Sequence, residues 1–355
     1  MIMAGGSGTR LWPMSRADRP KQLIPLVGGR SLLALAAERT ERLVPVDNRW
    51  VCAAERYRAV IRREIPWLAD DRMLGEPAAR DTLNAVAFAA TAIAATDPDG
   101  VFAVLTSDHL LQPQEEFERA LALGFRLVEA DPRRLVTFAI VPTFPATGYG
   151  YVERGDAVPG MAGAFRARRF VEKPPLERAR EFVANPAFAW NSGMFVFHAR
   201  TVLGALERLA PETATGMRAI AAAWGTPAAR GTLERVYPAL PRMSVDRALM
   251  EPASQDAALA VCVVPMGLEW RDVGSWTSLG ETLAADARGN RTNARAVHLE
   301  SERVTAVSDD PAHVIATIGL KDVVIVRTRD ATLVVRADLA ERVKDIAGAV
   351  PEDTR

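Results

Sequence analysis

The stretch MAGGSGTRLWPMSR, residues 3–16, follows a very short apolar start. Glycines let backbone N–H groups come close to an anion, and Arg10 adds positive charge beside them. Three phosphate-loop readings compete. A nucleotide-hydrolase P-loop needs the pattern GxxxxGK followed by Ser or Thr. Here Gly8 is followed by Thr9 and Arg10, and the first lysine is Lys21, so that reading fails. A dinucleotide fingerprint needs a third glycine for close helix packing; counted from Gly6 and Gly8, that place is taken by Leu11. The third reading is a loop around a nucleoside triphosphate whose α-phosphorus is attacked. Arg10 and, past turns at Pro13 and Pro20, Lys21 would then face the β and γ phosphates. A Gly-rich turn flanked by solvated arginines is the bland alternative.

Outward from this loop, short apolar runs alternate with helical patterns. MIMA, WVCAA, VFAVLT and LVTFAIV read as buried strands, and SLLALAAERTERL, TLNAVAFAATAIAA and EEFERALALGFRLVEA as helices. This alternation predicts an α/β, Rossmann-like, mostly parallel sheet covered on both faces, with ligands at the carboxyl ends of the strands. The first strand spans only Met1 to Ala4, short for a central strand. Between about 145 and 200 the turns tighten, as in a mixed extension of the sheet, and 201–250 read mostly helical. After DARGNRTNA (286–294) the chain becomes strand-rich. DVVIVRT and ATLVVRA flank Arg329-Asp330 as a hairpin would, and Asp338 with Glu341 suggests a capping box for a last helix. The expected domains are 1–289, carrying the chemistry, and 290–355, a small β-rich packing or oligomerisation element.

Of the 355 residues, 49% are apolar and 25% charged, with 44 basic and 44 acidic side chains. No global field would hold nucleic acid or a membrane surface, and no apolar run approaches the ~18 residues of a spanning helix. Cys52 and Cys262 are the only cysteines, which does not suggest a secreted scaffold. These features predict a cytoplasmic enzyme. Only Lys21, Lys173, Lys321 and Lys344 are lysines. Arginine fills nearly every other basic position, so Lys21 and Lys173, each inside a motif, mark places where a compact ammonium is wanted.

MAGGSGTRLWPMSR with Pro20-Lys21-Gln22 resembles the N-terminal motif of sugar-phosphate nucleotidyltransferases, and Trp12-Pro13 with Ser15-Arg16 resembles the mannose-1-phosphate guanylyltransferases. GEPAARDT, SDH, TGYGYVE, FVEKP, WNSGMF, SVDRALME and WRDVGSW continue the resemblance along essentially the whole chain. It implies a nucleotidyltransferase fold. The implied reaction is GTP plus α-D-mannose 1-phosphate giving GDP-mannose and pyrophosphate. Some family members carry an extra phosphomannose isomerase domain; this chain stops before one could fit, which predicts the single-activity form. Relatives are often homodimers.

Triphosphate chemistry calls for Mg2+, a hard ion held by carboxylates, phosphate oxygens and water. Asp108 follows VFAVLTS and Asp272 follows LAVCVVPM, so both are expected at strand ends. The resemblance makes these two the magnesium ligands. Each alone reads as a helix cap or turn residue. His109 suits packing better than ligation, because Mg2+ prefers oxygen. Gly5, Gly6, Ser7, Gly8 and Thr9 are the expected nucleotide loop, and Arg10, Lys21 and Lys173 the catalytic cations. Guanine presents N–H donors, which makes Glu76 the expected base partner, with Arg80 and Thr82 as nucleotide contacts or as the start of a helix. Asp81 stands where the family more usually has Asn. For the sugar phosphate, Gly148 would allow close approach to the ring, Glu172 would take hydroxyls and Lys173 the phosphate. Asn191 could both donate to and accept from a hydroxyl. A uridylyl or thymidylyl enzyme and a non-catalytic nucleotide-sugar-binding subunit are the rival readings. Ser275 has no candidate base nearby and is not expected to be a nucleophile.

Overall fold

The computed structural model describes residues 1–6, 8–351 and 354. Ser7 of the expected nucleotide loop lies outside the described residues. The chain forms two compact units. The first gathers Met1–Gly5, Arg39–Thr106 and Leu111–Trp270; the second gathers Gly6–Glu38, Ser107–Leu110 and Arg271–Arg355. The predicted C-terminal segment therefore lies in the same unit as the opening loop.

A nine-stranded sheet runs through the first unit. Met73–Glu76, Val51–Ala54, Ile2–Met3 and Val101–Thr106 lie side by side and parallel. Phe188–His198 follows, antiparallel to Val101–Thr106 and to Arg134–Ile140. Ala260–Pro265 then pairs parallel with Arg134–Ile140. Phe165–Glu172 and Gly150–Ala157 close the far edge as an antiparallel pair. The strands read as unbroken apolar runs because both faces are covered, as in Val51–Cys52–Ala53, where all three residues are buried. Asp81–Thr96 is buried along most of its length, so it reads apolar nearly all round rather than amphipathic. Of the predicted strand MFVFHA, Met194–His198 is the second half of an 11-residue strand that takes in Asn191, and Ala199 opens the next helix.

The second unit is built around a coil. Arg291–Thr292, Thr305–Ser308 and Val323–Arg327 stack in parallel on one face. Arg295–Leu299 and Val314–Ile318, which alternate with them along the chain, pair in parallel on another. Chain that returns to the same face after each excursion is a β-helix, a connectivity that strand composition alone does not specify. Thr332–Arg336 then pairs antiparallel with Val323–Arg327, forming the expected hairpin. Val324 and Val326 alternate inward and join Leu11, Trp12, Ile24, Val273 and Trp276 in one apolar core. The expected capping box is not formed: Asp338 bonds Arg336, and Glu341 bonds Arg10. Arginines took both side chains, one two residues away and one from the opening loop. Cys52 and Cys262 are buried and free. Among the described residues no helix is long and apolar enough to cross a membrane.

Candidate active site

Arg10, Lys21, Asp108 and Asp272 lie in the second unit. Gly6 and Gly8 hold left-handed backbone at φ of 95° and 64°, which glycine adopts without strain. The carbonyl of Gly8 accepts from the Ser15 hydroxyl at 2.6 Å, closing the turn, and Thr9–Leu11 form a short 3-10 helix. A Cβ on Gly8 would stand 2.6 Å from Lys21 Cβ and 2.9 Å from its amide nitrogen. The loop can lie against the Lys21 segment only as glycine.

Lys21 is 9% exposed, and its ammonium donates to Asp108 Oδ2 at 2.6 Å. Burial alone would raise the Asp108 carboxyl, but Lys21, with His109 adding, holds it below the ordinary carboxylate range. The backbone N–H of Val273 donates to the Asp108 carbonyl at 3.1 Å, which brings Asp272 alongside. Farther along, the buried indole of Trp276 donates to the Trp12 carbonyl at 2.8 Å, tying WRDVGSW to the opening loop. Ligand atoms of Asp108, His109 and Asp272 all lie within 4.8 Å of one another. Two carboxylates at that spacing, one already satisfied by an ammonium cation, make a donor set that fits a hard divalent ion. The imidazole nitrogen of His109 does not suit that ion, and it sits 3.7 Å from Asp108 Oδ1.

Arg10 reaches the same neighbourhood. A Cβ on Gly274 would lie 3.4 Å from Asp272 Oδ1 and 3.5 Å from the Arg10 guanidinium. Arg10 also pairs with Glu341 at 2.7 Å. The segment expected to lack chemistry thus supplies the acidic partner of a predicted catalytic arginine. The two side chains are 42% and 64% exposed, and an ion pair so solvated contributes about 0–1 kcal/mol. Glu341→Ala should therefore leave the melting temperature within about two degrees and kcat/KM for GTP at or above the wild-type value. A tenfold fall would show that Glu341 aims Arg10 rather than merely holding it. Ser275 caps the Trp276–Gly280 helix in a reciprocal box with Ser278, which explains a buried serine without a base.

The remaining predicted residues belong to the first unit. Glu76 ends its strand, and its Oε1 accepts from the Tyr237 hydroxyl at 2.7 Å. Burial raises its pKa, against hydrogen bonds from Tyr237 and Cys52. Arg80 donates to the carbonyls of Ala79 and Pro238, and Thr82 Oγ1 accepts from the Val245 amide at 2.9 Å. Both side chains are engaged in holding the 238–245 segment. Asp81 has φ of 66°, and its Oδ1 accepts from the Thr82 amide at 2.8 Å. Asp and Asn are the side chains that best tolerate that conformation, so either can start this helix.

Glu172, Lys173 and Asn191 come together with residues that sequence reasoning did not single out. Lys173 Nζ donates to Glu172 Oε1 at 2.8 Å, from left-handed backbone at φ of 49°. A non-glycine residue held there is strained, as residues at functional sites often are. Gly150, opposite Glu172 in the strand pair, would place a Cβ 2.7 Å from Glu172 Oε2. Gly148 would place one in open space, with nothing within 4 Å. The glycine on which this cradle depends sterically is therefore Gly150. Asn191 Oδ1 accepts from Thr137 Oγ1 at 2.6 Å, and its Nδ2 donates to Asp246 Oδ1 at 2.8 Å. The only advance signal for Asp246 was its place in SVDRALME.

Comparison with known proteins gives the following. A nucleotidyl transferase family model matches residues 1–289, and a mannose-phosphate isomerase/GMP-like β-helix domain model matches residues 294–349. A mannose-1-phosphate guanylyltransferase, ManC, of Salmonella typhimurium is 36% identical over 370 residues, covering 100% of this chain and 73% of its own. The alginate biosynthesis protein AlgA of Pseudomonas aeruginosa is 34% identical, covering 98% of this chain and 70% of its own. A crystal structure from Thermus thermophilus, described as a mannose-1-phosphate geranyltransferase, superposes with a TM-score of 0.85 at 32% identity, covering 98% and 97% of the two chains.

Proposed function

This chain belongs to the nucleotidyl transferase family and is a mannose-1-phosphate guanylyltransferase, and from that premise we propose how its residues divide the work. The reaction transfers GMP from GTP to α-D-mannose 1-phosphate and gives GDP-mannose and pyrophosphate. The reading of the residues rests above all on one observation: Lys21, Asp108 and Asp272 converge beside a glycine loop in one compact unit.

The phosphate oxygen of mannose 1-phosphate is already anionic at neutral pH, so it needs no general base. It attacks the α-phosphorus of GTP in line. The bond from that phosphorus to the bridging oxygen breaks, and pyrophosphate leaves with the electron pair. No covalent enzyme intermediate forms. What remains for the protein is positioning and charge neutralisation. Asp108 and Asp272 would hold Mg2+, which supplies Lewis-acid neutralisation of the phosphates when bound. Lys21 spends one of its three donors on Asp108 and keeps two for phosphate oxygens. Arg10 exchanges the weak Glu341 pair for the departing pyrophosphate. Gly5, Gly6, Gly8 and Thr9 turn backbone toward the triphosphate. A carboxylate offers about four lone-pair sites, so Glu76 keeps acceptor capacity for guanine beyond its Tyr237 and Cys52 bonds. Lys173 offsets repulsion between the two phosphates, and Glu172 and Asn191 face the sugar. GTP as substrate fits the cytoplasm, and a homodimer is the assembly we infer.

A panel measuring pyrophosphate release from four nucleoside triphosphates against several sugar 1-phosphates, with Mg2+, tests this. Release from GTP with mannose 1-phosphate should exceed every other pairing by at least about tenfold. A preference for UTP or dTTP with glucose 1-phosphate would overturn the base and sugar assignments, and no release from any pairing would favour a binding subunit.

A further inference from the structure

We propose that Asp246 is a sugar-specificity residue: with Glu172 it forms a two-carboxylate acceptor pair that reads the hydroxyl pattern of the hexose ring. This rests on the reading of Glu172 and Asn191 as the sugar-phosphate pocket.

The inference begins with what Asn191 can no longer do. Its Oδ1 accepts from the buried Thr137 hydroxyl at 2.6 Å and from the Gly193 amide at 3.2 Å. Both lone pairs are used, so Asn191 cannot accept from a sugar hydroxyl. These two donors also fix which end of the amide is oxygen, and that turns Nδ2 toward Asp246. One N–H goes to Asp246 Oδ1, and one is left to donate. Hydroxyls on a bound ring must then find acceptors elsewhere. Glu172 has one oxygen on Lys173 and the other beside the cradle that a Cβ on Gly150 would fill. Asp246, with one oxygen on Asn191, has the other left to accept.

Its backbone suits the task. Asp246–Met250 is a π-turn, an uncommon widening of the helix that recurs at functional sites. The amide of Val245, just before it, is held by Thr82 Oγ1 at 2.9 Å. Thr82 thereby positions Asp246. Asp246 is half-buried, which leaves it within reach of a ligand. Burial and the nearby Glu172 charge raise its pKa to about 7, against the backbone, Lys173 and Asn191. A Cβ on Gly150 would lie 2.7 Å from Glu172 Oε2 and 3.4 Å from Asn191 Cβ, so the amide that bonds Asp246 stands beside Glu172, and carboxylates on either side of it can offer acceptors to neighbouring hydroxyls.

Epimeric hexoses differ in where one hydroxyl points. A site built to hydrogen-bond that hydroxyl rejects the epimer, because buried polar groups are left unpaired. Carboxylates from two separate elements can engage two adjacent hydroxyls and so sense their relative orientation.

The test compares wild type with Asp246→Asn, measuring kcat and KM for mannose 1-phosphate, for its 2-epimer glucose 1-phosphate, and for GTP. Asparagine keeps an acceptor for the Asn191 amide, so the local bond survives. We expect KM for mannose 1-phosphate to rise at least tenfold, KM for GTP to stay within twofold, and the mannose-to-glucose ratio of kcat/KM to fall at least tenfold. An equal fall for both epimers, or a matching rise in KM for GTP, would overturn the proposal. If Asp246→Asn melts below the assay temperature, Asp246→Glu serves instead: it keeps the carboxylate but displaces it, and must lower the same ratio. Should wild type prefer another sugar 1-phosphate, the functional reading fails by itself, and the Asp246 claim is judged on that sugar and its 2-epimer.

Discussion

Asp272→Ala should lower kcat by at least about 100-fold at saturating substrates, with the melting temperature within a few degrees of wild type. The cost follows from removing a charge aimed at phosphates in a reaction that depends almost wholly on neutralisation, where one such group accounts for roughly 100- to 1000-fold. Asp108→Ala should match that loss and add a second effect. The Lys21 ammonium, 9% exposed, loses its hydrogen-bonded partner at 2.6 Å. Breaking a buried pair costs about 3–5 kcal/mol, and less here because 24% of the Asp108 side chain is exposed. The melting temperature should therefore fall by several degrees in Asp108→Ala and not in Asp272→Ala. Steady-state kinetics and thermal melts on both variants check this. Activity of Asp272→Ala within tenfold of wild type would remove this carboxylate from the chemistry, whatever Asp108 does.

The difference between those two variants was not legible in the sequence. What the sequence offered for Asp108 was local, a polar residue just past the apolar strand Val101–Thr106; Asp272 instead ends its own short strand, Glu269–Asp272, and only the resemblance paired the two. That Lys21 would spend a donor on Asp108 depends on two segments 87 residues apart, which no periodicity reports. Choosing between Gly148 and Gly150 in TGYGYVE was likewise a question of register: only the pairing of Gly150 with Glu172 says which glycine faces the carboxylate. Asp246 stayed hidden because a π-turn has no composition signature, and an aspartate before a helical run reads as a cap. The β-helix was half legible. Its hairpin lies within one short stretch, whereas Thr305–Ser308 and Val323–Arg327 pair in parallel across an intervening strand. Asp338 and Glu341 have capping-box spacing, but arginines at positions 336 and 10 offered full charges, which outbid backbone N–H groups.

Gly8→Ala should reduce kcat/KM for GTP by at least about 100-fold, although it adds a single methyl group. Two costs act together. A φ of 64° is disfavoured for an L side chain by about 1–2 kcal/mol. The new Cβ would lie 2.6 Å from Lys21 Cβ and 2.9 Å from Lys21 N, and since one of these is backbone, a rotamer change cannot relieve the clash. Overpacking of this kind costs about 1–3 kcal/mol where the structure yields. The yielding part is the loop or the Lys21 segment, because Leu23 and Ile24 beyond it are buried in the core. Either shift moves the ammonium relative to the backbone amides that should meet the same triphosphate. A misplacement of about 1 Å is enough for roughly 100-fold in rate where positioning is the mechanism. The measurement is kcat/KM for GTP per folded molecule, with the folded fraction taken from a melt under assay conditions. Activity within tenfold of wild type would mean that the loop can leave Lys21 without consequence, and the convergence of loop, lysine and carboxylates would no longer account for catalysis.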